Sequence, residues 1–291
     1  MNRPGTVVIV GVGLIGGSIG LALRARGLAR RVIGVGHRPA SLQEAARIGA
    51  IDDLTMDLPR AVAEADIAVI CTPVSRIADD ILSAARHGPD GILVTDAGST
   101  KRRIVEAAEA DPRGLAAFVA AHPIAGSEKK GAGHARADLC DGRACVLTPT
   151  PRTPPDRLER ARSFWASIGC RIEEMGPDEH DRALALTSHL PHVVAASMAG
   201  CVPADLLHLA AGAYRDVTRV VGSDADLWTA IFRDNRRPLL DSLDSLQQQL
   251  DRFRDALERD DAGALHAWWQ AAKLRRSGYA EPVSVPAPLD P

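Results

Sequence analysis

The sequence predicts an α/β fold in two parts: an N-terminal doubly wound, mainly parallel sheet, and a C-terminal part made of helices alone. Three observations predict it. A β-branched run, Val7 to Val10, leads directly into Gly11-Val-Gly13-Leu-Ile-Gly16 and then into an apolar, helix-compatible segment. Short apolar strands alternate with helical segments as far as Met175, the rhythm of repeated strand-helix units. From Pro177 to Tyr279 only helical periodicity remains.

A strand, a G-x-G-x-x-G turn and a helix in that order form the fingerprint of a Rossmann-type dinucleotide site. Gly11 makes the tight turn out of the strand, Gly13 leaves room for a pyrophosphate, and Gly16 lets the helix pack close to the sheet. The helix N-terminus at Leu14 and Ile15 offers free N–H groups and a positive dipole end to phosphates.

The elements follow in order. Arg31 to Arg38 reads as the second strand, whose end should meet the adenosine ribose. Nucleotide sites of the NAD type place an acidic residue there, about 20 residues past the glycines. This chain has Gly36, His37 and Arg38 instead. No carboxylate stands there to repel a 2′-phosphate and a guanidinium is available to pair with one, so NADP is favoured over NAD. Ser41 to Gly49 reads as a helix, and Ala65 to Pro73 as a strand whose terminal Thr72 and Pro73 face the cofactor crevice. Ile92 to Asp96 is a strand delivering Ala97-Gly-Ser99-Thr-Lys101 to the same edge, with a helix after it from Lys101 to Ala110. Phe118 to His122 and Ala144 to Thr148 are further strands, Arg157 to Ile168 an amphipathic helix, and Arg171 to Met175 the last strand. Four helices are expected beyond: Ala183–Cys201, Ala204–Val220, Asp224–Arg259 and Ala262–Arg276. The expected divisions are thus 1–176, 177–281 and a proline-rich, disordered tail, 282–291.

Bulk composition narrows the function. The 291 residues are 46% apolar but only 3% aromatic, which predicts an aliphatic core, and the net charge of −2 gives no support to a nucleic-acid partner. Five scattered cysteines, none in a C-x-x-C pair, fit a reducing cytoplasm. No apolar run reaches membrane-spanning length, and no secretory leader pattern precedes the glycine turn.

Three further stretches carry chemistry. His122, in His122-Pro-Ile-Ala-Gly-Ser-Glu128, stands at a strand's end, where a neutral imidazole can take a proton from a substrate hydroxyl; for a histidine not yet placed in a fold, a structural role is the simpler account. His189 and His192 are three apart and share a helix face. They lack a third ligand at matching spacing, so no metal is expected. Arg215 and Arg219 lie one turn apart, and either can pair with a substrate carboxylate or simply face solvent.

Taken together and in order, these stretches resemble the prephenate/arogenate dehydrogenase family, the cyclohexadienyl dehydrogenases of tyrosine biosynthesis. The resembling segments are Gly11 to Ser18, Asp96 to Lys101, His122 to Glu128 with Gly131 and Ala135 to Gly142, Glu179-His-Asp181 through Ser188 to His192, and Thr218-Arg219 through Trp228 to Asn235. They span roughly residues 6 to 275.

The resemblance implies NAD(P)-dependent oxidative decarboxylation of prephenate to 4-hydroxyphenylpyruvate, or of arogenate directly to tyrosine. It implies His122 as acceptor of the ring-hydroxyl proton, Ser99 as an orienting group, Arg219 on a substrate carboxylate, and His192, His189 and Trp228 around the pocket. It also implies an all-helical C-terminal dimerisation domain and a homodimer, with Trp228 near the neighbour's site. Cys140 stands where many members have Phe. A β-hydroxyacid dehydrogenase is the nearest rival, but its helix-borne catalytic lysine has no counterpart, since no lysine lies between Lys130 and Lys273. A non-enzymatic NADP sensor on the same fold would not need His122, Ser99 and Arg219 together.

Overall fold

The structure, a computed structural model, describes residues 5–126 and 129–279. The N-terminal part runs β1 (Thr6–Val10), α1 (Leu14–Ala25), β2 (Arg31–Val35), α2 (Pro39–Arg47), β3 (Asp53–Thr55), α3 (Leu58–Val62), β4 (Ile67–Ile70), α4 (Val74–His87), β5 (Leu93–Asp96), α5 (Arg102–Glu109), α6 (Pro112–Ala117) and β6 (Phe118–Val119). The six strands form one parallel sheet in the order β3-β2-β1-β4-β5-β6. Strand order reverses between β1 and β4, and the glycine turn opens at that switch point.

The β-branched run of β1 is buried on both faces because helices cover both. Val7 and Ile9 enter one apolar cluster with Ile19, Leu23 and Trp165, while Val8 and Val10 enter another with Ile77, Ile81 and Ile104. Each fully buried Val, Ile or Leu contributes about 1.5–3 kcal/mol. Trp165, one of few aromatics, is fully buried, and its indole N–H donates to Thr95 Oγ1 at 3.1 Å.

The strand expected over Phe118 to His122 divides. At Ala120 the chain leaves the parallel sheet and enters a second, three-stranded sheet of β7 (Ala121–Pro123), β8 (Ala144–Leu147) and β9 (Arg171–Glu174), with α7 (Pro155–Ser167) between the last two. β7 runs antiparallel to β8, with His122 opposite Val146, and β8 runs parallel to β9. The physical cause is Asp96. Its Oδ1 takes the Ala121 amide at 2.9 Å, and the Ala120 carbonyl accepts from Thr148 instead. The side chain that ends β5 thereby turns the next strand aside.

The C-terminal part is helical: α8 (Pro177–Leu184), a five-residue π turn (Ala185–His189), α9 (Leu190–Cys201), a 3-10 segment (Ala204–Leu209), α10 (Gly212–Thr218), a second 3-10 segment (Arg219–Gly222), α11 (Ala225–Asp234), α12 (Arg236–Glu258) and α13 (Ala262–Ser277). The π turn has a reason in sequence. Pro191 has no N–H and its ring crowds the Thr187 carbonyl, and a widened turn relieves both. The single helix expected over Asp224–Arg259 breaks at Asn235 (φ −94°, ψ 31°). Pro238 is the cause, tolerated in the first turn of a new helix but not in the interior of an old one. The helix expected over Ala204–Val220 is likewise three short pieces. Val217, Val221, Leu227, Leu240, Leu250, Phe253, Leu257, Trp269 and Leu274 leave apolar surface exposed on this half. Among the described residues no helix is long and apolar enough to cross a membrane. The tail expected from residue 282, and Ser127 and Glu128, lie outside the described residues.

Candidate active site

The glycine turn has the stereochemistry that each glycine predicts. Gly11 has φ +89°, and a Cβ there would lie 2.7 Å from the Cys71 carbonyl oxygen at the end of β4. A Cβ on Gly16 would lie 2.3 Å from the Gly11 oxygen, so α1 packs hard against the turn. A Cβ on Gly13 would meet nothing within 4 Å. That open face borders the first turn of α1, where the Leu14 and Ile15 amides have no intrahelical acceptor. The cradle therefore fits a dinucleotide pyrophosphate. Thr72 and Pro73 border it from the end of β4, with Thr72 Oγ1 donating to Asp80 Oδ2 at 2.7 Å and Pro73 leading into α4. At the tip of β2, His37 and Arg38 are both exposed, their side-chain nitrogens 3.3 Å apart.

His122 stands on β7, beside the carboxyl ends of the parallel strands, and is half-buried. Its Nδ1 lies 2.9 Å from Nε2 of His180, and Nδ1 of His180 lies 2.8 Å from Oδ1 of Asp181. His180 is fully buried. Asp181 also accepts the backbone N–H of Lys101 at 2.8 Å and of Arg102 at 3.0 Å, the amides that open α5. Lys101 is itself fully buried and its ammonium is paired with Asp96. A line of polar groups thus runs from the second sheet through α8 to the edge of the first sheet.

Burial is the main force on the histidines. It pushes His122 well below the ordinary imidazole value, with His180, Lys101 and His189 acting the same way. Burial also lowers His180, against the raising pull of Asp181. Burial works to raise the Asp181 carboxyl, but the hydrogen bonds from His180 and the Arg102 and Lys101 amides hold it below the usual carboxylate range. The site at neutral pH is therefore two neutral imidazoles ending on an ionised carboxylate.

The second group assembles around Trp228 on α11. His192 stacks on the indole, and His189 meets it edge-on at 6.0 Å between centroids. The shared face expected of His189 and His192 is present. His189 is 1% exposed, and its Nδ1 lies 3.0 Å from the side-chain nitrogen of Asn235, which also donates to the Asp181 carbonyl at 2.7 Å. Burial pushes His189 down to about 4. Arg219, exposed at the start of the second 3-10 segment, is close enough for its charge to lower His192. Arg215 pairs with Asp216.

Two profiles cover most of the chain: the nucleotide-binding domain of prephenate dehydrogenase matches residues 19–174, and its dimerization domain matches residues 176–271. The chain belongs to the prephenate dehydrogenase family. It is 33% identical to prephenate dehydrogenase of Bacillus subtilis over 281 residues, covering 94% of this chain and 76% of that one. Prephenate dehydrogenase from A. aeolicus, solved with hydroxyphenyl propionate and NAD+, superposes with a TM-score of 0.85 at 29% identity, covering 94% and 97% of the two chains. Arogenate dehydrogenase from Synechocystis gives 0.79 at 32% identity, covering 94% and 100%. As a member of this family the chain is a nicotinamide-dependent oxidoreductase.

The sequence nominates His122, His189, His192 and Trp228, and the structure brings them into two adjoining groups. Ser99 lies in the turn after β5, and among the described residues the partner of His122 is His180, not Ser99. His180 and Asp181 enter the sequence reading only as part of the resembling segment Glu179-His-Asp181, with no role assigned, and only the fold brings the pair to His122.

Proposed function

We propose that this dehydrogenase oxidises and decarboxylates prephenate to 4-hydroxyphenylpyruvate, in the cytoplasm and with NADP preferred over NAD. The observation that carries this reading is the neutral His122 imidazole at the crevice edge, with Arg219 near the His192–Trp228 pair. A nicotinamide cofactor held by the Gly11–Gly16 turn would supply the hydride acceptor for the hydroxyl-bearing ring carbon. His122 takes the hydroxyl proton as that carbon is oxidised. Loss of the ring carboxylate as carbon dioxide then returns an electron pair to the ring, which becomes aromatic. The same imidazole gives its proton back to the phenolic oxygen, so the base ends in its starting state. Aromatisation supplies the drive, and the scheme needs no metal or Schiff-base lysine.

Ser99, in the turn after β5, orients the substrate hydroxyl. Arg219 binds a substrate carboxylate through its guanidinium fork, and His192, His189 and Trp228 wall the pocket. Leu14, Ile15 and the three glycines hold the pyrophosphate, while Thr72 and Pro73 flank the dinucleotide. His37 and Arg38 receive the 2′-phosphate. The exposed apolar residues of the helical half and the dimerization-domain match support a homodimer through that half.

Arogenate is the second reading, favoured by the likeness to the Synechocystis enzyme. Purified protein is tested for reduced-nicotinamide formation with prephenate or arogenate, each with NADP or NAD. The expected result is the highest kcat/KM for prephenate with NADP; a higher value with arogenate moves the assignment. No turnover in any of the four combinations, by folded protein that binds cofactor, overturns the dehydrogenase reading in favour of a sensor.

A further inference from the structure

The hydrogen-bond chain behind His122 fixes where its protons sit. Asp181 Oδ1 can only accept, so Nδ1 of His180 carries the hydrogen of their 2.8 Å contact. A neutral imidazole protonated on Nδ1 has its lone pair on Nε2. That lone pair is 2.9 Å from Nδ1 of His122, so the His122 Nδ1–H must be the donor. The other nitrogen of His122, Nε2, is then bare. His180 is fully buried and Asp181 nearly so, so the chain is sheltered from competing water.

We propose that His180 and Asp181 are positioning residues that lock His122 in the Nδ1–H tautomer, leaving Nε2 as the proton acceptor. The inference deepens the proposed dehydrogenase reading and rests on it for its catalytic consequence. During turnover the hydroxyl proton bonds to Nε2 of His122, and the Nδ1 proton is drawn toward Nε2 of His180. The positive charge then lies against the Asp181 carboxylate. When the phenolic oxygen takes its proton back, both shifts reverse and the chain is restored.

The groups facing His180 are Asp181 on its own helix, His122 on β7, Asp96 at the end of β5, Lys101 in the turn before α5 and His189 in the π turn. Lys101 opposes a cation on His180, while Asp96 and Asp181 favour it. Of the charged groups named here, Asp181 is the one hydrogen-bonded to the His180 ring, on the nitrogen opposite the one that faces His122.

The test uses the full-length protein with 15N-labelled histidine rings. The two-bond proton–nitrogen correlation pattern distinguishes the tautomers, and the His122 signals are assigned by their loss in His122→Asn. The expected result is Nδ1–H at His122 in the wild type without substrate. Finding Nε2–H overturns the proposal, whichever substrate the enzyme turns over. This readout needs no activity, so it stands apart from failure of the dehydrogenase assignment. Kinetics follow with His180→Leu and His180→Gln. The leucine variant should lose kcat by about 100-fold or more while KM for cofactor is unchanged. The glutamine variant, which keeps an acceptor oxygen for the His122 N–H, should recover a substantial part of that loss. Asp181→Asn should move the acid limb of kcat/KM to lower pH, because the anion that favours the shared cation is gone. A leucine variant with wild-type kcat overturns the proposal; should that variant not fold, the wild-type tautomer decides.

Discussion

The His192 imidazole lies flat on the Trp228 indole, with 3.5 Å between ring centroids and 25° between planes. Two residues 36 positions apart, on α9 and α11, thus form one wall. A ring contact of this kind is worth about 0.5–1.5 kcal/mol. Trp228→Ala should therefore raise KM for substrate about three- to tenfold and leave kcat within a factor of about three. Steady-state kinetics decide: a fall in kcat with unchanged KM would place Trp228 in the chemical step instead.

Two glycines of the turn, Gly13 and Gly16, should separate by kind of failure. Gly13→Ala adds a methyl that meets no protein atom, so melting temperature should hold while cofactor affinity falls at least tenfold. Gly16→Ala puts a methyl 2.3 Å from a backbone oxygen and should destabilise by about 1–3 kcal/mol. Thermal melts and cofactor titrations on the pair give the answer. Equal affinity loss and equal destabilisation in both would contradict the separate roles.

Stability should fall on mild acidification. His189 is pushed down to about 4 by burial, and burial also lowers His122, His180 and His192. In the unfolded chain these rings take up protons near pH 6.5, whereas in the native protein they resist. Their contribution is thus complete above about pH 6.5 and is lost as pH falls toward 4, at up to about 1.4 kcal/mol per pH unit for a fully buried ring such as His189. Denaturant unfolding at pH 7 and pH 5 should differ by at least about 2 kcal/mol. A stability that is flat or rises between those values would refute the buried-neutral assignment.

Arg38 should set cofactor choice. Arg38→Ala should weaken NADP binding by about tenfold and leave NAD within a factor of about two, as read by titration of each nucleotide. An equal effect on both would mean that the guanidinium does not reach the 2′-phosphate.

The fold was largely legible because strand period and glycine spacing are local properties. The turn from Gly11 to Gly16 and the change to helices beyond Gly176 could be read directly. What escaped was non-local. Nothing within Phe118 to His122 announces that a carboxylate 25 residues earlier, at Asp96, will divert the strand at Ala120. Pro191 and Pro238 did mark helix irregularities, but apolar periodicity across them hid the breaks. His122 could be nominated from its motif, whereas its partner His180 lies 58 residues on and becomes visible only when α8 docks beside β7.

Asp181 binds the opening amides of α5 while its neighbour His180 reaches the second sheet. The two halves of this protein are consequently not exchangeable modules. A helical partner borrowed from another Rossmann-type enzyme could bury the same surface and still leave His122 without a donor-acceptor mate. On the positioning role proposed for the pair, recombination between lineages yields nucleotide-binding but idle chimeras unless the His-Asp pair travels with the new half.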